Sequence, residues 1–183
     1  RKQMKEETLN WVKESVAWKP HGYQKKAVKF LLEHAAAALF LDPGLGKTSI
    51  TLAAIKILKK QKMMKKVRLI APLRVCYSVW PEEVAKWKDF KDITVSILHG
   101  PEKNEALKRD ADIYIINPEG LEWLLDVQKT KTKSGKTRVS IDLHRWKKFG
   151  FDTLIVDELS KFKHTNTVRF KSLKLVLGTF ARR

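Results

Sequence analysis

The spacing of apolar positions changes repeatedly along this chain, and each change marks an element. Leu9, Val12 and Val16 share one helical stripe that ends at Trp18-Lys19-Pro20, predicting an accessory helix within residues 1–20. A second helix is expected from Tyr23 to His34, where Ala27, Val28, Phe30, Leu31 and Leu32 are apolar. Strands and helices then alternate. Ala37-Ala38-Leu39-Phe40-Leu41 reads as a buried strand, and Thr48 to Lys60 as a helix apolar on most sides. Val67–Ala71 is the next strand, and a helix is expected around Pro81–Trp87 with Pro81 in its first turn. Ile93–Leu98 alternates as a strand does, Pro101–Arg109 is helical, Asp112–Ile116 is a strand, and Leu121–Val127 is helical. Residues 129–140 carry no hydrophobic period and contain Ser134-Gly135, which predicts a loop or exposed hairpin inserted into the domain. Asp152–Val156 is the last clear strand, and Val168–Arg182 reads as largely helical. This order predicts one α/β domain over residues 1–183, with a mainly parallel sheet and helices on both faces.

The chain has 183 residues, 43% of them hydrophobic, enough to fill the core of one such domain. Charge narrows the partners. Lys and Arg number 38 against 20 Asp and Glu, giving +18, which favours a polyanion: DNA, RNA or an anionic membrane surface. The longest clean apolar stretch, Ala35–Leu41, is far short of the roughly 20 residues of a membrane-spanning helix, so no membrane partner is expected. The N-terminus lacks the apolar core of a secretory signal and begins without Met, as a chain starting inside its gene or after processing would. Cys76, the single cysteine, cannot form an internal disulfide, which fits a reducing cytoplasm.

The chemistry begins where Ala37–Leu41 runs into Asp42-Pro43-Gly44-Leu45-Gly46-Lys47-Thr48 and a helix follows at once. Glycines let backbone N–H groups turn inward, and a helix N-terminus adds partial positive charge, so such a loop cradles phosphates. Lys47 is then expected on the β- and γ-phosphates of a nucleotide and the Thr48 hydroxyl on Mg²⁺. The full pattern wants Gly where this chain has Leu41, so the match is partial. Gly135-Lys136-Thr137 imitates the end of this loop but follows no buried strand, and reads as chance within a basic loop. Far downstream, Leu154-Ile155-Val156 leads into Asp157-Glu158. Carboxylates there would hold Mg²⁺ (Asp157) and orient the attacking water (Glu158).

Together these residues resemble the Swi/Snf-type branch of the superfamily-two helicases and translocases, in spacing most like its phage-encoded members. Asp42–Thr48 is similar to that family's first motif, which tolerates a non-Gly residue at the Leu41 position. His21-Gly22-Tyr23-Gln24 is similar to its upstream segment, whose Gln recognises adenine. The resemblance implies a RecA-like lobe that binds ATP and Mg²⁺ through Tyr23, Gln24, Pro43, Gly44, Leu45, Gly46, Lys47, Thr48 and Ser49, with Lys47, Asp157 and Glu158 catalytic. Ala71–Val75, with Trp80, Glu83 and Trp87 behind it, looks like a motif that contacts the nucleic-acid backbone. His99-Gly100 and Ile116–Leu121 fall where later backbone contacts occur. Pro72, Arg74, His99, Gly100, Asn117 and Glu119 are the implied contacts, with DNA preferred to RNA. A phage-encoded member would work in the cytoplasm of a bacterial host.

The chain departs from the family pattern in places. Leu159-Ser160 stands where the family has Ala-His, and Leu177-Gly178-Thr179-Phe180 only echoes its third motif. The family's second lobe, with its arginine fingers, is not in this chain, so the lobe alone is expected to bind ATP and hydrolyse it very slowly. Basic residues gather in three places: Lys56–Lys66, Lys129–Arg138 and Lys161–Lys174. For the first a solvated face is favoured, for the second a solvated face and a phosphate contact are equally open, and any contact would follow charge rather than base sequence. Trp80 and Trp87 are expected in the core rather than as stacking platforms. Two other readings stay open: a non-catalytic nucleotide- or nucleic-acid-binding module that kept the motor fold, or a different P-loop ATPase such as a packaging motor.

Overall fold

The computed structural model describes residues 16–158 and 167–183. Its centre is a parallel sheet of four short strands: β1 (Val67–Ile70), β2 (Val95–Ile97), β3 (Ile113–Ile116) and, last in the chain, β6 (Thr153–Val156), in the order β2-β3-β1-β6. Every residue of β1 and β3 is buried, as expected for strands covered on both faces. The period of two divides their side chains between two cores. Val67, Leu69, Ile113 and Ile115 face one side. Helices α1 (Gly22–Glu33) and α2 (Lys47–Lys60) supply Val28, Ile50, Leu52 and Ile55 there. Ile70, Tyr114, Ile116 and Leu154 face the other, against α6 (Leu121–Leu124), α7 (Leu143–Lys148) and α8 (Val168–Val176). Short helices α3 (Leu73–Tyr77), α4 (Val79–Lys86) and α5 (Lys103–Lys108) complete the crossovers.

The alternation of elements predicted the architecture correctly; several local expectations change. Residues 1–15 and 159–166, which include Leu9, Val12, Leu159, Ser160, Lys161 and Lys163, lie outside the described residues. Val16 is 58% exposed and forms a single bridge with Trp87 rather than the end of a helix. The predicted helix at Leu121–Val127 stops at Leu124, because Asp126 turns to φ 49°. The expected helix to Arg182 ends at Val176, with one 3-10 turn to Thr179 and an extended Phe180 beyond it. Residues 129–140 do form a hairpin: β4 (Gln128–Lys131) pairs antiparallel with β5 (Thr137–Ser140). Gly135-Lys136-Thr137 belongs to its turn and second strand.

The largest correction concerns Ala37–Leu41, which joins no strand ladder, while Phe40 is 90% exposed. The reason lies beside it. Arg182 begins a parallel pairing with β6, its carbonyl accepting from Leu154 N–H at 2.9 Å. Arg183 bonds to the other side, donating to Ala35 O at 2.8 Å and accepting from Ala37 N–H at 3.0 Å. Residues 182 and 183 therefore stand between β6 and the segment before the glycine loop. Further along, Ala38, Leu39 and Phe40 line a cavity of about 570 Å³ together with Ile155 and Val156, and among the described residues they share no ladder.

Arg68, mid-strand in β1, is fully buried, with no acidic partner among the described residues. Its guanidinium lies 3.9 Å from the Phe151 ring centre and 5.7 Å from that of Tyr114, and only one of its nitrogens finds an acceptor, the Tyr114 carbonyl at 3.5 Å. Burial pulls its pKa down to about 9, still high enough to leave it charged at neutral pH.

Candidate functional site

The glycine loop is shaped by two residues in the left-handed region, Gly44 at φ 84° and Gly46 at φ 77°. At Gly46 the space is closed as well, since a Cβ there would lie 2.5 Å from Gln24 Nε2 and 3.0 Å from Ser49 Oγ. Gly46 caps α2, whose first residues are Lys47, Thr48 and Ser49, so the N–H groups of the first turn open toward the loop. Ser49 is buried and its hydroxyl donates to Gly46 O at 3.0 Å, which leaves Lys47 and Thr48 as the residues of that turn lining the cavity.

Lys47 turns back onto its own loop. Its Nζ donates to Leu41 O at 2.6 Å and to Asp42 O at 3.1 Å. Tyr23 and Gln24 approach from α1. Tyr23 Oη donates to Leu45 O at 3.2 Å and Gln24 Nε2 to the same carbonyl at 3.3 Å. Gln24 Oε1 accepts from His21 N–H at 2.9 Å. The Gln24 amide thus ties the start of α1 to the loop, and it is buried in doing so.

The acidic pair follows β6. Asp157 N–H donates to Ile70 O at 2.8 Å, extending the pairing with β1 by one bond. Asp157 Oδ2 accepts from Trp80 Nε1 at 3.0 Å. Glu158 sits at φ 68°, in the left-handed region, where the backbone breaks away from the sheet. Lys47, Thr48, Trp80, Asp157 and Glu158 all line the 570 Å³ cavity, so residues far apart in sequence meet in one cleft. Tyr23, Gln24, Pro43, Gly44, Leu45, Gly46 and Ser49 lie behind it, around the loop, and do not line it. A hydroxyl (Thr48) and a carboxylate (Asp157) are the hard oxygen donors that suit Mg²⁺ completed by water and phosphate oxygens, so this donor set fits that ion.

A second group of predicted residues follows the carboxyl ends of β1, β2 and β3. Pro72 caps α3, and Arg74 is exposed on its first turn. His99 is exposed beside Gly100, which takes φ 75°. Its Nδ1 pairs with Tyr77 Oη at 2.9 Å, a partner that its position in the sequence did not suggest. Asn117 is turned inward. It is buried, and its amide donates to Glu119 at 2.9 Å, while Glu119 pairs with Arg169 at 2.8 Å. Between the two groups lies Cys76, whose thiol donates to Ala71 O. Burial, with Asp157 and Glu119 adding to it, pushes this thiol up to about 11 and keeps it unreactive at neutral pH.

Sequence reasoning assigned Trp80 to the core, where it is, but missed its bond to Asp157. It also missed Arg182, whose guanidinium donates to Leu31 O (3.1 Å), His34 O (3.2 Å) and Leu32 O (3.1 Å), the last carbonyls of α1. Among the basic clusters, Lys56 and Lys59 are engaged by Asp92 and Asp112.

The model of the SNF2-related domain matches residues 23–182. The chain belongs to the SNF2-related domain family. It is 32% identical over 148 residues to protein p41 of Acyrthosiphon pisum secondary endosymbiont phage 1, covering 79% of this chain and 28% of that protein. In structure it is similar to the Sulfolobus solfataricus SWI2/SNF2 ATPase core, solved in complex with dsDNA, with a TM-score of 0.64, 20% identity, and coverage of 87% of this chain and 30% of that one. The SNF2-related chain thus spans under a third of the length of both relatives. Its fold is the RecA-like one that the family resemblance implied, with the parallel sheet that the order of elements predicted.

Proposed function

We infer that this SNF2-related chain is the ATP-binding lobe of a DNA-dependent ATPase of the helicase and translocase class. The observation that carries this is the meeting of Lys47 and Thr48, at the start of α2, with Asp157 and Glu158, at the end of β6, on one cleft. Phosphates entering the cleft would replace the Leu41 and Asp42 carbonyls as partners of Lys47. Thr48 and Asp157 would hold Mg²⁺, which when bound neutralises charge on the phosphates. Trp80 fixes one carboxylate oxygen of Asp157, leaving the other to face the ion, and Glu158 would orient the attacking water. Tyr23 and Gln24 would face the adenine, with Pro43, Gly44, Leu45, Gly46 and Ser49 shaping the loop. Pro72, Arg74, His99, Gly100, Asn117 and Glu119 border the edge on which nucleic acid would lie, Arg74 as a direct contact and Asn117–Glu119 as a brace for Arg169.

The +18 charge favours a polyanion, and the duplex held by the Sulfolobus solfataricus core supports DNA as that partner. The full engine needs a second RecA-like lobe. An arginine supplied from outside a P-loop site is worth about 10³–10⁵ in rate, and Arg182, at the rim of the cleft, is already committed to α1. Slow turnover by this chain alone follows.

The test is titration calorimetry with Mg²⁺–ATP on wild type, Lys47→Ala and Gln24→Ala, with GTP as competitor. Loss of binding with Lys47→Ala and loss of the preference for ATP with Gln24→Ala are the expected results. Equal weakening of ATP and GTP by Gln24→Ala would reduce Gln24 to a brace of the loop, and binding that survives Lys47→Ala would refute the assignment of the phosphate site.

A further inference from the structure

The β4–β5 hairpin stands outside everything described for the cleft. From Gln128 to Ser140 every residue is exposed except the half-buried Val139. No acidic residue occurs between Asp126 and Asp142, while Lys129, Lys131, Lys133, Lys136 and Arg138 fall within that interval. Lys129 is paired with Glu122. The other four have no carboxylate within ion-pair distance among the described residues. A two-stranded ribbon alone in water is marginally stable, and clustered cations make it less so.

This ribbon is not alone, since β5 packs against α8, and its turn is also held from within. Thr132 knots the turn: its N–H donates to Lys136 O at 3.0 Å, its hydroxyl accepts from Lys136 N–H at 3.1 Å, and its carbonyl accepts from Gly135 N–H at 2.9 Å. The register sets every cation opposite an uncharged residue, Lys129 against Val139, Lys131 against Thr137 and Arg138 against Thr130. Like charges directly across a ladder repel, so this register spares the ribbon that cost while keeping its charge. The alternation puts Lys129 and Lys131 on one face and Arg138 on the other, with Lys133 and Lys136 in the turn. The result is a preorganised ribbon, positive on both faces and at its tip. Two strands lie about 4.8 Å apart, and a ribbon of that kind fits the roughly 12 Å major groove of duplex DNA.

We propose that the β4–β5 hairpin is a second contact with duplex DNA, inserted along a groove so that Lys131, Lys133, Lys136 and Arg138 meet phosphates on both sides of it. This rests on the reading of the chain as a DNA-dependent lobe, and it adds a contact that the edge around Arg74 does not provide. With no base-reading side chain required, the contact is independent of sequence.

The experiment measures binding of a mixed-sequence duplex by fluorescence anisotropy over a series of salt concentrations. Wild type is compared with the quadruple variant Lys131→Gln, Lys133→Gln, Lys136→Gln, Arg138→Gln and with a charge-preserving triple variant, Lys131→Arg, Lys133→Arg, Lys136→Arg. Each lost phosphate contact should lower the slope of log affinity against log salt by about 0.9, so the neutralised variant should lose roughly three to four units of slope while binding Mg²⁺–ATP as wild type does. The arginine variant should keep the slope. An unchanged slope in the neutralised variant, with Arg74→Ala still weakening binding, overturns the hairpin contact and leaves the DNA-dependent reading standing. No duplex binding by wild type overturns both. A loss of slope on folded RNA alone, with duplex DNA unaffected, assigns the ribbon to RNA and also overturns the proposal.

Discussion

Asp157 receives the indole N–H of Trp80 on one oxygen, and that bond joins two residues 77 positions apart. A hydrogen bond to a charged group is worth about 1.5–3 kcal/mol, and here it aims the carboxylate rather than adding bulk stability. Trp80→Phe keeps the ring in the core and removes only the donor. We expect a native circular dichroism spectrum and Mg²⁺-dependent ATP affinity lowered roughly tenfold, with little change when Mg²⁺ is withheld. Equal losses with and without Mg²⁺ in calorimetry would mean that Trp80 only packs. Lys47 presents the opposite situation. Its ammonium is satisfied by two loop carbonyls, so a phosphate gains only the difference between those bonds and its own.

At the scale of elements, α1 ends without a basic residue in its last turn, and its carbonyls are served instead by Arg182. A cation at that end stabilises by up to about 2 kcal/mol when partly buried. Arg182→Ala should lower the unfolding free energy by an amount of that order, read as a fall in the urea midpoint at unchanged slope. Arg182→Lys should recover only part of the loss, since an ammonium cannot fork between carbonyls as a guanidinium does. A midpoint unchanged by Arg182→Ala would show the contact to be idle. The central strands and long helices were legible in the sequence because burial on one or two faces writes a period into it, as in Val67–Ile70 and Lys47–Lys60. The glycine loop was legible because its left-handed turns at Gly44 and Gly46 call for glycine, a local requirement that the sequence records. What escaped depends on distant neighbours. Leu39 and Phe40 look like strand, but whether they pair is decided by what lies beside β6, and nothing local records that. The Trp80–Asp157, Tyr77–His99 and Arg182–α1 contacts likewise join segments that only the fold brings together.

Over the whole molecule, the excess of positive charge opposes compactness. The ion pairs mostly join exposed side chains, such as Lys29 with Glu33 and Lys108 with Glu105, and each is worth at most about 1 kcal/mol. Salt weakens these pairs and the self-repulsion together, but at +18 the repulsion dominates. The melting temperature should therefore rise as NaCl is increased from about 20 to about 200 mM, where the Debye length shortens from roughly 20 Å to under 10 Å. A fall over that range in a thermal melt would mean that the pairs outweigh the repulsion.

The cleft has two walls, one carrying Lys47 and Thr48 and the other Asp157 and Glu158, and the backbone of Arg182 and Arg183 is bonded to both at the end away from those side chains. Residues 182 and 183 thus stitch the wall that carries the carboxylates to the segment leading into the glycine loop, and a substitution there would reach the cleft through the backbone rather than through Lys47 or Asp157.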